Sequence, residues 1–262
     1  MPDFSSNSLK YETRLRELFS GRAIKVFDNI GSTQDVGLAW LRDGGEAGSL
    51  VIADRQVSGR GRMGRAWHNP SGVAIAMSVI LKPLPDYLSQ ISMLAALSVV
   101  DTLEAFAVKG VTIKWPNDIR ISGKKVGGIL PEAIWEGERL IGVVLGIGLN
   151  VTTDFEDSEL ETRAVSMAHA LGYSVDRIDV CRRLVDQIEF WVSRLGSTEL
   201  LEAWKNRLET LGQYVIIEVT QSKIIGYAEK VDPDGALYVR DEKGDLNKVV
   251  AGDIVMNLWQ GV

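Results

Sequence analysis

The sequence predicts an α+β fold over residues 1–211, followed by a small all-β domain over residues 212–262. Three observations predict it. One strong apolar helix pattern, residues 89–106, is set among segments that read as strands. Those strands follow one another through short turns rather than alternating with helices. From Tyr214 onward only short strand patterns separated by turn signals remain.

Taken in order, residues 9–19 place Leu15, Leu18 and Phe19 on one helical face, with Gly21 as a stop. Residues 24–27 alternate like a strand. Ser32-Thr33-Gln34-Asp35 supplies an N-cap cluster for a short helix carrying Val36, Ala39 and Trp40. Residues 49–53 read as a strand, a Gly/Arg loop runs to Gly72, and residues 73–81 read as a buried strand. The 89–106 helix presents Ile91, Leu94, Ala95, Val99, Leu103 and Phe106 on its apolar side and stops at Lys109-Gly110. Segments 111–115, 119–121 and 124–126 predict short strands around turns, and 129–135 with 139–151 a hairpin across Glu136-Gly137-Glu138. Residues 158–171 and 178–211 predict helices, the second interrupted near Gly196-Ser197. In the tail, Asp232-Pro233-Asp234-Gly235 and Glu242-Lys243-Gly244 mark turns of a small antiparallel, barrel-like unit.

Composition narrows the function classes. The 262 residues hold 29 Lys+Arg against 35 Asp+Glu, a net charge of −6, which argues against a protein that wraps nucleic acid but allows a local basic patch. With 45% hydrophobic residues the chain supports a sizeable core. The single cysteine, Cys181, excludes an internal disulfide framework and a cysteine-based zinc site, and His68 and His169 are too few for a histidine-rich metal centre. The N-terminus shows no apolar signal region, and the apolar stretches 73–81 and 93–100 fall short of the roughly 20 residues that span a bilayer. The expectation is a cytoplasmic, soluble protein.

Two segments carry candidate chemistry. Gly59-Arg60-Gly61-Arg62-Met63-Gly64 matches the dinucleotide fingerprint literally, but that fingerprint must open an apolar helix, and Arg65, Trp67, Asn69-Pro70 and Gly72 follow instead. What remains is a loop of three glycines and the arginines Arg55, Arg60, Arg62 and Arg65. Its backbone can approach an oxyanion, and its forks match phosphate or carboxylate. Taken alone, a solvated basic loop or nucleic-acid patch is the better reading, and it falls only when the next motif is added. The second segment is Lys114-Trp115-Pro116-Asn117-Asp118, followed by Lys124-Lys125-Val126-Gly127-Gly128. Pro116 bars a helix, so Asn117-Asp118 falls at a strand end, as a turn cap or as donors reaching a magnesium-bound phosphate. Ser122-Gly123-Lys124-Lys125 matches S-x-x-K only in letters, since Gly123 lies in a turn. Cys181 falls on an apolar helical stripe and reads as core. In the tail, Lys248 and Trp259 are candidates to face the site, with core the default for Trp259.

Five motifs occur in one order: Ser32-Thr33-Gln34; Gln56 with the 59–67 loop; Lys114-Trp115-Pro116-Asn117-Asp118; Lys125-x-Gly127-Gly128; and Gly146-Ile147-Gly148-Leu149-Asn150. Together they resemble the biotin–protein ligases (biotin–[acetyl-CoA-carboxylase] ligases, or holocarboxylase synthetases), from about residue 24 to the end of the chain. The resemblance implies a central mixed β-sheet flanked by helices, class II synthetase-like, with an SH3-like C-terminal β-barrel. It implies that biotin and MgATP give biotinyl-5′-adenylate, which acylates one lysine of the biotin carboxyl carrier protein of acetyl-CoA carboxylase. By motif position, Ser32, Thr33, Gln34, Gln56, Arg60, Gly61, Arg62, Lys125 and Gly128 would bind biotin. Arg62, Arg65, Trp67, Lys114, Asn117, Asp118 and Asn150 would bind the nucleotide, Asp118 would meet Mg²⁺, and Lys125, Arg60 and Arg62 would carry catalysis. The family usually has Asn where Gln34 stands, and often a basic residue where Met63 stands. A homodimer is expected, with no DNA and no membrane as partner. The roughly 20 residues before the first strand are fewer than the about 60 a winged helix-turn-helix needs.

Elementary electrostatics agrees. A carboxylate and a phosphate about 4 Å apart repel by roughly 1 kcal/mol in water and about 4 kcal/mol at an effective dielectric near 20, so a water-excluding site needs cations that do not titrate. Short polar groups such as Ser32, Thr33 and Gln56 suit a neutral ureido ring, and Trp67, Ile129 and Leu130 suit an apolar arm. The glycines of the 59–67 loop predict disorder when empty and closure over the adenylate. Rival readings are a lipoate–protein ligase, a biotin-responsive repressor, and a non-catalytic biotin-binding module.

Overall fold

In the computed structural model, which describes residues 4–83, 85–219 and 222–258, the main domain is a seven-stranded mixed sheet of order β1-β2-β3-β7-β6-β5-β4. Its strands are β1 (Ile24–Ile30), β2 (Leu50–Gln56), β3 (Ala74–Leu81), β4 (Val111–Lys114), β5 (Asp118–Ile121), β6 (Lys124–Glu136) and β7 (Arg139–Asn150). Only β1 and β2 are parallel, and α2 (Thr33–Arg42) is the crossover between them. The remaining neighbours are antiparallel, as short turns dictate. All eight residues of β3 are buried because both faces of the sheet are covered at its centre. On one face α2 packs Leu41 against Ile80 and Val144. The main core lies on the other, where α1 (Phe4–Leu18), α3 (Ile91–Ala105), α5 (Arg177–Val192) and α6 (Thr198–Lys205) gather.

The run Pro85–Ala105, a 3₁₀ turn plus α3, is long and apolar enough to cross a membrane, although no single stretch read from the sequence is. Here it is the core helix, with Ile91, Leu94, Ala95, Val99 and Leu103 all fully buried.

Three predicted elements differ. Gly127 and Gly128 do not divide two strands but lie inside β6, because their bare Cα atoms let neighbours approach: a Cβ on Gly127 would lie 3.1 Å from the Gly148 carbonyl. The predicted 158–171 helix is reduced to α4 (Met167–Leu171), capped by Ser166. Ser158 instead bonds Phe155 O and Leu160 N, and Lys125 draws residues 163–165 into pairing through Arg163 O and Val165 N. The last helix stops at Lys205 rather than residue 211, because the free edge of β4 pairs with the chain beyond it: Ile113 N donates to Arg207 O, and Glu209 N to Ile113 O.

The tail forms a five-stranded antiparallel sheet, β11-β10-β9-β8-β12. Its strands are β8 (Tyr214–Val219), β9 (Ser222–Val231), β10 (Leu237–Arg240), β11 (Leu246–Val249) and β12 (Asp253–Leu258). Turns fall where the Asp-Pro-Asp-Gly and Glu-Lys-Gly signals place them. Among the described residues no ladder joins β11 to β12, so the barrel-like tail is a sheet with two edges. Lys248 pairs with Asp232 at 2.8 Å, and Trp259 lies outside the described residues.

Candidate active site

The site begins at the turn from β1 into α2. Ser32 caps α2, its hydroxyl accepting from Gln34 N, and Thr33 N donates to Gln56 Oε1 at 2.8 Å, so two amides of the first turn that have no partner within the helix are satisfied by side chains. Thr33 Oγ1 donates to the same Gln56 oxygen at 3.1 Å. Ser78 of β3, which no motif singled out, lies 2.9 Å from Thr33 Oγ1 and 3.0 Å from Gln34 Oε1, its one proton serving either. This chain of hydroxyls and amides lines one wall of a cavity. Gly128, Ile129 and Leu130 of β6, with Gly146, Ile147 and Gly148 of β7, line the floor.

Gln34 borders the cavity as well, and its Nε2 donates to Leu130 O at 3.2 Å and Val144 O at 2.9 Å. Both amide protons are thereby committed to the strands beneath the floor. The longer side chain fits because Gly146 is bare; a Cβ there would stand 2.6 Å from Gln34 Oε1.

The 59–67 loop folds back as a tight turn in which Gly61 N donates to Arg65 O and Trp67 N to Gly59 O. Met63, at its tip, adopts φ 54°. Each arginine meets an acid. Arg60 forks onto Glu132 at 3.3 and 3.0 Å and touches Asp35 at 2.8 Å. Arg62 donates to Asn117 Oδ1 at 3.2 Å and to Gly252 O at 3.4 Å, with Asp253 3.8 Å away. Arg65 pairs with Asp253 at 2.7 Å. Burial draws the Arg62 pKa below its ordinary value, and the Arg65 charge adds to this against the pull of Asp253.

The opposite wall is built on the cis Trp115–Pro116 peptide and β5. Asn117 donates to Ile129 O at 2.9 Å while receiving Arg62, and Asp118 accepts from Lys125 Nζ at 2.5 Å. Lys125 also stands 5.6 Å from the Trp67 ring centre. The cavity thus gathers Ser32, Thr33, Gln34, Gln56, Arg60, Gly61, Arg62, Arg65, Trp67, Asn117, Asp118, Lys125 and Gly128 from among the expected residues.

Lys114 and Asn150 do not line it. Lys114 Nζ points to Ile254 O of the C-terminal sheet at 2.7 Å, where burial lowers its pKa. Asn150 is buried and donates to Val165 O, steadying the segment that pairs with Lys125. Asp253 and Gly252 were missed by sequence reasoning. They belong to a different domain, and no local pattern connects them to the loop.

Fold and site together define a mixed-sheet α+β protein whose cavity sets neutral polar side chains beside three arginines and a lysine. Comparison places the chain within known proteins. The family model described as the biotin/lipoate A/B protein ligase family matches residues 26–150. The chain is 35% identical over 242 residues to a bifunctional ligase/repressor BirA of Bacillus spizizenii, covering 89% of this chain and 74% of that one. It is 32% identical over 244 residues to a biotin–[acetyl-CoA-carboxylase] ligase of Mycobacterium tuberculosis, covering 89% of each. Its fold matches the biotin protein ligase from Aquifex aeolicus in complex with biotin and ATP with a TM-score of 0.75 at 26% identity, covering 88% of this chain and 97% of that one. This chain belongs to the biotin/lipoate A/B protein ligase family.

Proposed function

We propose that the chain is a biotin–protein ligase that makes biotinyl-5′-adenylate from biotin and MgATP and passes the biotinyl group to a lysine of the acetyl-CoA carboxylase carrier protein. The observation that carries this reading is the convergence of Arg60, Arg62 and Lys125 on one cavity whose other wall is the neutral Ser32–Thr33–Gln56 set. The names of the relatives, and the Aquifex complex with biotin and ATP, support biotin over lipoate.

In the first half-reaction a biotin carboxylate oxygen bonds to the α-phosphorus of ATP, and pyrophosphate leaves. In the second, a carrier lysine amine attacks the acyl carbon, loses its proton and expels AMP. The neutral wall suits the ureido head, and Ile129 and Leu130 suit the arm. Lys125, Arg60 and Arg62 hold carboxylate and phosphate together against their repulsion. Arg60 faces Asp35 and Glu132, Arg62 and Arg65 share Asp253, and Lys125 faces Asp118. Four cations are thus matched by four carboxylates. The acids offset the mutual repulsion of these cations and brace them in place for an anionic substrate.

Magnesium enters as part of the substrate MgATP. Among the described residues no three acidic, histidine or cysteine side chains converge as a metal cluster. That fits an ion held mainly by phosphate oxygens, with Asp118 as its protein carboxylate. We assign the chemistry to residues 1–211, with residues 212–262 contributing Asp253. A homodimer would form through a sheet edge, which sedimentation would show.

ATP–pyrophosphate exchange with biotin, lipoate or no acid tests the assignment. Exchange only with biotin, followed by biotin incorporation into purified carrier, is the expected outcome. Exchange with lipoate moves the reading to lipoate–protein ligases, and no exchange refutes it.

A further inference from the structure

Two glycines of the cavity floor are neighbours across the β6–β7 ladder, Gly128 opposite Gly148. A Cβ on Gly148 would lie 2.2, 2.5 and 2.6 Å from Cε2, Nε1 and Cζ2 of Trp67, and these are the three nearest atoms it would meet. A Cβ on Gly128 would lie 3.3 Å from Cζ3 of the same ring and 3.3 Å from Cε of Lys125. Neither glycine has a positive φ, so the backbone does not demand glycine at either position. What excludes a side chain at 148 is the indole itself. Trp67 Nε1 is buried without a hydrogen-bond partner, so shape and dispersion hold the ring there rather than a polar anchor. The same residue closes the loop, through Trp67 N to Gly59 O at 2.8 Å.

We propose that Gly148, with Gly128 beside it, is a positioning residue: its bare Cα is the seat of the Trp67 indole, and that seat fixes the closed placement of the 59–67 loop and its arginines. Carbon atoms in contact rest about 3.5–4.0 Å apart, so an alanine at 148 forces the ring at least ~1 Å off its seat. The loop, which has few other apolar anchors, moves with it. The geometry of the seat is independent of the substrate. Its consequence for adenylate formation rests on the ligase reading above.

A competing account gives Gly148 the simpler task of leaving room for substrate. The two accounts separate because the seat depends on Trp67 and the room does not. The experiment uses the full chain as parent, Gly148→Ala, Trp67→Ala and the double variant. It measures the initial rate of native-state tryptic cleavage after Arg60, Arg62 or Arg65 without ligand. Gly148→Ala and Trp67→Ala should each speed cleavage about tenfold, and the double variant should be cleaved no faster than Trp67→Ala. Cleavage of Gly148→Ala at the parent rate overturns the proposal, as do effects that multiply in the double variant. If Gly148→Ala fails to fold, Trp67→Ala should rescue it by vacating the space, and a double variant that is equally unfolded overturns the proposal. Pyrophosphate exchange on the same proteins keeps the two readings apart. A parent silent with biotin refutes the ligase reading and leaves the seat to the cleavage data.

Discussion

Asp253, the first residue of β12 in the C-terminal sheet, lies 2.7 Å from Nη2 of Arg65 in the loop of the main domain. The same carboxylate stands 3.8 Å from Arg62, and the adjoining carbonyls of Gly252 and Ile254 receive Arg62 and Lys114. Three consecutive residues of the small domain therefore hold three cations, two of which, Arg62 and Arg65, line the cavity. Asp253→Ala should raise the KM for ATP by about 3–10-fold, roughly 0.7–1.4 kcal/mol, by loosening the guanidinium forks. Arg65 is more than half exposed, so global stability should fall by less than ~1 kcal/mol. Steady-state kinetics beside urea unfolding checks both. A lowered KM would show that Asp253 competes with phosphate instead of bracing its partners.

Lys125 is held by Asp118 at 2.5 Å, and its side chain is 36% exposed. Lys125→Ala should cut pyrophosphate exchange by about 10²–10³, the usual effect of removing one donor from a charge-stabilising site, with an unchanged unfolding midpoint. Asp118→Asn should lower exchange as well, because it removes both the partner of Lys125 and the carboxylate assigned to magnesium. An active Lys125→Ala variant would remove this residue from the mechanism.

Arg62 differs from Arg65 in being the more buried of the two, with a side-chain exposure of 20% against 59%. Its ties to Asn117 and Gly252 link loop, β5 wall and C-terminal sheet. Arg62→Gly should therefore weaken retention more than synthesis. The adenylate off-rate should rise about 10–100-fold, the loss of one charged hydrogen-bonding group of roughly 1.5–3 kcal/mol. Rapid dilution of preformed adenylate reads this directly, and an off-rate equal to the parent's would contradict it.

These residues also show what was legible in the sequence. The Ser32 cap, the all-buried β3 strand and the Glu136-Gly137-Glu138 hairpin are local patterns, and each stands where periodicity and turn chemistry put it. The cavity residues Arg60, Arg62, Lys125 and Asp118 were legible because each lies inside a short motif. Gly148 as the seat of Trp67 was not, since that requires the register of β6 on β7 and the path of a loop 80 residues away. Asp253 was hidden for the same reason: no local pattern tells which domain an isolated acid faces. The false helix at 158–166 and the over-long one past Lys205 failed where strand edges, at 163–165 and at 207–209, offered the backbone better partners than its own helix.

Cys181 gives the last prediction. It lies on the inner face of α5 with Tyr11 Oη 3.7 Å from its sulfur, and burial raises its pKa from 9.0 to about 11. The Tyr11 hydroxyl is raised too, first by burial and then by Cys181. Both groups keep their protons in the folded chain at a pH where the unfolded chain has begun to lose them. Their contribution to stability is complete below the ordinary pKa and disappears as pH rises through the folded one. The unfolding midpoint should thus not change on their account between pH 7 and 8, then fall from about pH 9 toward 11. The cysteine's share is at most about 3 kcal/mol. In the same picture the thiol should react with a thiol reagent at pH 8 only as fast as the chain unfolds. Following modification across a urea series checks it. Labelling of the native protein at the rate of a free thiol would show that Cys181 is open to solvent and that the alkaline loss has another source.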